Sequence, residues 1–398
     1  MTDAPKDRAE DEPHSATLPA ESHTHDAPII EPDHSANQVA IASQWQLTWW
    51  AFKKHKLAMV GLVVIAFLYL ISIFAEFVAP DDPSQQNRRA VYHPPQMIHF
   101  FDRTEEGLSI RPFVWEMGRE RDPETLAVTY VPTGEKIYLE LFGRGPEYEF
   151  WGLWTTDIHL FATVNPRDSF FLFGADRLGR DMFSRVIYGT RISMSIGLVG
   201  VAISLVLGVT LGGLSGYYGG RTDAIIQRMI EFVLSLPTIP IWLALAAALP
   251  PSWPVYQQYF VITLIVSLVG WTELGRVVRG RFLAMKNDDF VIAARLDGAS
   301  ERRIIFRHML PSLTSHIIAS LTLAIPLMIL AETALSFLGL GLQPPAISWG
   351  VLLKEAQNIV SISQAPWLFI PGGFVVVAVL AFNFLGDGMR DAADPYVQ

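Results

Sequence analysis

The sequence predicts an all-α polytopic membrane protein: six transmembrane helices, with a small α+β insert after the first. Three observations carry this. Of 398 residues, 51% are hydrophobic and 17% are charged, and a soluble surface needs nearer a quarter charged. The apolar residues gather into runs of membrane-crossing length, which takes about 20 residues. Lysine and arginine gather in only some of the short segments between those runs. The chain has no cysteine, which excludes disulfides, thiolate metal sites and a cysteine nucleophile. The net charge of −9 sits largely in the N-terminal tail and in residues 80–170. It says little about partners; no nucleic-acid partner is expected.

Residues 1–44 form an acidic stretch with no sustained apolar period, and are expected to be a disordered cytoplasmic tail. His14, His23, His25 and His34 are irregularly spaced there and lack cysteine partners, so they read as solvated rather than metal-binding. No cleavable signal is visible ahead of the first apolar run. Residues 45–79 hold an interfacial segment and the first span. Trp45, Trp49, Trp50 and Phe52 precede Lys53, Lys54 and Lys56, as aromatic and positive residues flank the cytoplasmic end of a membrane helix. Leu57–Ala79 supplies the crossing, with Glu76 near its far end.

Residues 80–170 are a polar excursion, expected on the periplasmic side. Leu126–Val131 and Lys136–Phe142 are β-rich, and Pro132–Glu135 between them reads as a hairpin turn. Aromatics are dense: Phe113, Trp115, Tyr130, Tyr138, Phe142, Tyr148, Phe150, Trp151 and Trp154. They read as the core of a small α+β insert or as a docking surface.

Residues 171–398 hold five more spans, near Ile192–Tyr217, Ile225–Leu249, Phe260–Leu274, Ile317–Leu340 and Trp367–Leu385. Arg221 and Arg228 flank the second-to-third connection. Arg276, Arg279, Arg281, Lys286, Arg295, Arg302, Arg303 and Arg307 fill the fourth-to-fifth. Both connections therefore face the cytoplasm, as do both termini.

Within that basic connection, Asn287–Ser312 reads NDDFVIAARLDGASERRIIFRHMLPS. Asp288 and Asp289 suit a helix start, and Gly298 suits the left-handed position after its end. Ser300 can cap a second short helix, Glu301–Met309. The pair would lie across the inner face and expose Arg302, Ile305 and Phe306. A merely amphipathic interfacial loop is the plainer alternative. Gly208, Gly212, Gly216 and Gly220 recur every four residues, forming a face without side chains for close helix approach; a moving interface is the other reading. Glu332 is an acid inside the fifth span, six residues after Pro326, which can kink the helix. It either lines a translocation path, together with Pro326 and Ser336, or makes a buried structural hydrogen bond.

The run from Ala293-Ala294 to Gly298, then Leu310-Pro311, resembles the EAA loop of ABC importer permeases. The family's Glu is Ile292 here. The resemblance marks 287–311 as the coupling loop to an ATPase and assigns Ala293, Ala294, Gly298, Ala299, Ser300, Arg302, Ile305, Phe306, Leu310 and Pro311 to it. Phe173–Tyr188 (FGADRLGRDMFSRVIY), Gly216–Gly220 (GYYGG), Glu332–Pro345 with Ser348–Gly350, and Asn383–Pro395 resemble the C-type subunit of dipeptide and oligopeptide permeases. The resemblance covers about 170–398 and the first span. It implies the type I permease fold in a bacterial inner membrane, a second related permease, two cytoplasmic ATP-binding subunits and a periplasmic solute-binding protein. ATP and magnesium would be held by the ATPases and none by this chain. That agrees with the absence here of a Gly-Lys phosphate loop, an H-E-x-x-H zinc site and a Gly-x-Ser-x-Gly elbow. Peptides are the implied cargo, with nickel, a glycoside or an opine-like solute as alternatives. A secondary transporter or a membrane enzyme would need paired intramembrane charges or a catalytic cluster, and neither is evident.

Overall fold

The computed structural model describes residues 44–104, 107–121, 123–124, 128–165, 167–250 and 252–393. The tail 1–43, with His14, His23, His25 and His34, lies outside them, as do Leu126, Asp394 and Pro395. Two compact units divide after Leu47. Of the first, only the opening turn of helix α1 (Gln44–Lys54) is described. The remainder lies in the second.

Helix α2 (Lys56–Ile73) is the first span and α3 (Ala75–Val78) a short continuation. At 18 residues, α2 rises about 27 Å, close to the roughly 30 Å hydrocarbon core. Val63, Phe67, Leu70 and Ile73 stand exposed along it, as expected of a face turned to lipid.

The insert is built of strands: β1 (His99–Thr104), β2 (Gly107–Arg121), β3 (Val128–Leu141), β4 (Arg144–Phe150), β5 (Trp154–Ile158) and β6 (Phe161–Thr163). Strands β1-β2-β3-β6 form one antiparallel sheet, and β4-β5 a separate hairpin. The expected α+β character is corrected, since no helix occurs between Ala79 and Asp181 among the described residues. The expected turn at Pro132–Glu135 is also corrected. Strand β3 runs through it, opposite β2, and 133–135 bulge out between the pairs Met117–Pro132 and Trp115–Lys136. Thr133 Oγ1 donates to Glu116 Oε2 at 3.0 Å, and Gly134 takes φ 87°. The long partner strand β2, unread in the sequence, makes a bulge of what looked like a loop. Val114, Ile137, Leu139 and Phe170 form the insert's core.

Helices α4 (Met182–Tyr218), α7 (Val255–Met285) and α11 (Thr314–Phe337) are of membrane-spanning length, as is Pro366–Ala392, a 3-10 turn (Pro366–Phe369) leading into the last helix, Ile370–Ala393. With α2 these make five. Over Ile225–Leu249, where one straight span is expected, stand α5 (Gly220–Ser235) and α6 (Thr238–Ala247), bent by 84°; taken as one broken span, the pair makes a sixth. Pro237 explains the break: it disfavours helical backbone at Leu236, which is extended at φ −87°, ψ 136°. The short fourth span, Phe260–Leu274, is corrected too. Helix α7 has 31 residues, about 46 Å, so Arg276, Arg279 and Arg281 lie on its projecting end rather than in a loop.

Helix α4 packs along α7 through the glycine face. A Cβ at Gly208 would meet Leu274 at 3.0 Å and one at Gly216 would meet Phe282 at 2.6 Å; at Gly212 it would strike the Gly275 carbonyl. Gly220 does not belong to this face. It has φ 54° and open space around it, and with Gly219 (φ 66°) it makes the turn into α5.

Candidate functional site

The segment after α7 forms helix α8 (Asp289–Leu296), a turn at Gly298, and a second helical stretch. That stretch comprises α9 (Glu301–Arg303), a π segment (Ile304–Met309) and α10 (Leu310–Ser312). Gly298 has φ 75° with nothing within 4 Å of its Cβ position, so conformation rather than space demands glycine. Asp288 and Ser300 occupy cap positions, yet neither side chain makes a capping hydrogen bond. The expected Ser300 cap is therefore absent, and its backbone turn alone starts the helix.

One side of this segment is anchored. Val291, Ala294, Ile304 and Met309 are buried against Val278 and Phe282 of α7 and Tyr217 of α4, with Ala299, Ile305 and Leu310 packed partly against them. Tyr218 Oη donates to Glu301 Oε2 at 2.8 Å. The other side is open: Ile292, Ala293, Arg295, Gly298, Ser300, Arg302 and Pro311 are exposed, Leu296 is 82% exposed and Phe306 62%. Ile305, expected outward, turns partly inward. Two large apolar side chains flanked by arginines, on a backbone held from behind, make a surface suited to a protein partner.

Glu332 lies elsewhere and is enclosed. Its Oε1 accepts from Ser336 Oγ at 2.8 Å and Ser348 Oγ at 2.7 Å, and its Oε2 from Ser193 Oγ at 3.5 Å. Each hydroxyl in turn accepts a backbone N–H: Leu342 to Ser336 at 3.0 Å, Val351 to Ser348 at 3.2 Å, Trp349 to Ser193 at 3.1 Å. The acid thus ties α4 and α11 to helix α12 (Trp349–Glu355). Pro326 and Ser336 are buried as well. Of the two readings of Glu332, the geometry matches the structural hydrogen bond.

A second knot secures the same region. Asp176 is fully buried; its Oδ1 accepts from Leu178 and Arg180 N–H at 2.8 and 3.0 Å, and its Oδ2 pairs with Arg180 and Arg185. Both arginines also reach Glu355 Oε1, at 2.7 and 3.3 Å. The sequence segments Phe173–Tyr188, Glu332–Pro345 and Ser348–Gly350 therefore meet around Trp349, whose indole N–H donates to the Val186 carbonyl at 3.3 Å. Beside them Asp181 caps α4, accepting the Ser184 N–H at 2.7 Å. Burial pushes Asp181 up to about 7, and the Asp81 charge adds to this; burial likewise raises Asp81 to about 6.

An acid that does face open space is Glu273, on α7. It is exposed and lines two adjoining cavities of 420 and 400 Å³ that share Gly270, Glu273, Ala324 and Leu327. The first is walled by apolar residues of α6, α7 and α11, among them Trp242 and Met328; the second also takes in Arg281, His316 and Arg390. The sequence signal is an acid one residue inside the end of the short span expected over Phe260–Leu274, which α7 extends well beyond.

Residues 208–398 match the family model described as binding-protein-dependent transport system inner membrane component, and residues 43–95 match the N-terminal TM domain of oligopeptide transport permease C. Among curated proteins, the chain is 30% identical to the oligopeptide transport system permease protein OppC of Bacillus subtilis (strain 168), over 89% of this chain and 90% of that one. It is 32% identical to the dipeptide transport system permease protein DppC of the same strain, over 89% and 86%. It is 37% identical to the OppC protein of Haemophilus influenzae, over 60% and 75%.

Proposed function

Because this chain belongs to the binding-protein-dependent transport system inner membrane components, and is related throughout most of its length to their peptide permeases, we propose that it forms half of the translocation pathway of an ATP-driven peptide importer. The observation that carries the mechanism is the two-sided coupling segment: Val291, Ala294, Ile304 and Met309 fix it to α4 and α7, while Leu296 and Phe306 are held out. An ATPase that grips the open side would pull on the ends of two long helices at once. The chain's own part is mechanical, and nucleotide chemistry belongs to two cytoplasmic ATPase subunits with their ATP and magnesium. A second, related permease would complete the pathway, and a periplasmic binding protein would deliver the peptide to the face bearing the β insert. Both termini would then be cytoplasmic.

The path itself is assigned to the cavities around Glu273 rather than to Glu332. An exposed carboxylate inside a membrane helix is costly unless it serves a cavity or partner, and peptides bring an ammonium group to meet it. The deciding experiment purifies the chain with its partner subunits, reconstitutes the complex, and measures ATP turnover with and without peptide-loaded binding protein. Stimulation by loaded binding protein is expected. Turnover that ignores binding protein and peptide alike would overturn the reading.

A further inference from the structure

The insert's aromatic residues divide in a way the expected core does not explain. Phe113 is buried, but Trp151, Leu153 and Trp154 are 51%, 73% and 57% exposed. These three belong to the tip of the β4–β5 hairpin, Phe150-Trp151-Gly152-Leu153-Trp154, which carries no charge. The tip is not projected into open space. The Trp151 indole N–H donates to the carbonyl of Ile73 at 2.9 Å, and Ile73 is the last residue of span α2. The Phe150 ring lies 5.9 Å from that of Phe74. The depth of the tip is therefore that of the span's end.

Its conformation is also unusual. Leu153 N–H bonds the Phe150 carbonyl at 2.9 Å across the turn, and the two central residues, Trp151 and Gly152, have φ 50° and 66°. Such a turn favours Asn, Asp or Gly at its first central position; a bulky residue at positive φ is a rare and strained choice. Arg191 holds the ring in place. Its guanidinium lies 4.1 Å from the centre of the Trp151 ring and is itself fixed by Glu76 at 2.7 and 2.6 Å and by the Ser72 carbonyl at 3.0 Å.

We propose that the β4–β5 hairpin tip is a membrane-interface anchor: Trp151, Leu153 and Trp154 seat among lipid headgroups and upper acyl chains beside α2. Leu70, Ile73 and Phe74 are exposed at the end of α2, and the tip meets that end at Ile73 and Phe74, so exposed apolar side chains of helix and hairpin adjoin. Tryptophan is the residue enriched at that depth, where its ring is apolar and its edge polar. An aqueous or protein-docking role would not require the tip to be level with the end of a span. The anchor fixes the insert's tilt relative to the bilayer, and with it the direction in which the large sheet faces.

The chain's lack of cysteine makes the test direct. In the full chain, within its complex made otherwise cysteine-free and reconstituted in liposomes, Leu153→Cys is labelled with a nitroxide. Collision with oxygen, which concentrates in lipid, is compared with collision with a water-soluble nickel chelate. Val63→Cys on α2 serves as the lipid reference and Glu135→Cys, on the β3 bulge, as the aqueous one. The oxygen-to-nickel ratio at Leu153 is expected several-fold above that at Glu135 and to fall in a Trp151→Asn background, which suits the turn but removes the ring. A ratio equal to that at Glu135 overturns the proposal in favour of water. Protection from both reagents overturns it in favour of a protein partner.

Discussion

Glu332 and Glu273 are both carboxylic acids inside membrane-length helices, and the protein treats them oppositely. Glu332 is sealed behind three serine hydroxyls, each of which also satisfies a backbone N–H. Glu273 stands at the junction of two cavities. The same contrast separates the Asp176 knot, where Arg180 and Arg185 are tied to Asp176 and Glu355, from the proposed coupling segment, where Leu296 and Phe306 are exposed. An intramembrane acid is therefore not in itself a pathway residue. What its oxygens touch decides whether it holds the protein together or handles what passes through.

The contrast predicts that enclosed groups govern assembly and open ones govern turnover. Its harshest test is Glu332→Leu. The three serines lose their common acceptor, at about 1–3 kcal/mol for each buried polar group left unsatisfied, so the yield of assembled complex should collapse. A normal yield on size-exclusion chromatography with lost uptake would return Glu332 to the pathway. Gly298→Pro comes next. Proline is held near φ −65° where the chain has φ 75°, so the coupling segment should be deformed while the spans still insert. Uptake should vanish with basal ATP turnover largely kept; Gly298→Ala, costing roughly 1–2 kcal/mol in the left-handed region, should keep most uptake. Full uptake with proline would sink the coupling assignment.

Sequence pattern predicted structure where one physical signal dominated. Apolar runs located the long helices, and the Asp297-Gly298 stop signal located the turn between two short helical stretches. It failed where two signals competed. Pro237 sat inside an apolar run long enough to cross a membrane, and hydropathy hid the 84° elbow. Gly220 kept the four-residue period of the packing face, although its neighbour Gly219 had already ended the helix. Pro132–Glu135 had turn chemistry, but only the pairing with β2 reveals it as a bulge. The surroundings of the two intramembrane acids were not legible. Nothing in the sequence says that Glu332 would find three serines, one of them 139 residues away, or that Glu273 would stand exposed in a cavity wall.

A gentler test concerns Glu273→Gln, which keeps shape and removes charge. Assembly should be unchanged and peptide uptake reduced several-fold; equal uptake of charged and N-acetylated peptides by the unmodified complex would argue against an ammonium partner. The smallest expected effect is at Asp181. Burial raises its carboxyl to about 7, so the folded form favours the proton. Its contribution to stability is complete below the ordinary aspartate range and is lost as pH rises through about 7. Asp181→Asn, still able to accept the Ser184 N–H, should flatten the pH dependence of the melting temperature between about 4 and 7. An unaltered slope would assign that dependence to other groups.

The π segment Ile304–Met309 has a consequence for how force is aimed. Its wider turn, closed by the Leu310 N–H to Ile305 carbonyl bond, accommodates one residue more than an α-turn would. Each residue of an ordinary α-helix advances the side chains by about 100° around the axis. The extra residue is thus an angular offset between the grip on the outside, at Phe306, and the root on the inside, at Met309 and Leu313. Deleting one residue there would leave both helices intact and every contact type available. It would nonetheless swing Phe306 about a quarter-turn around the axis relative to the spans, so that, on the coupling proposed above, an ATPase still docked there would push in the wrong direction.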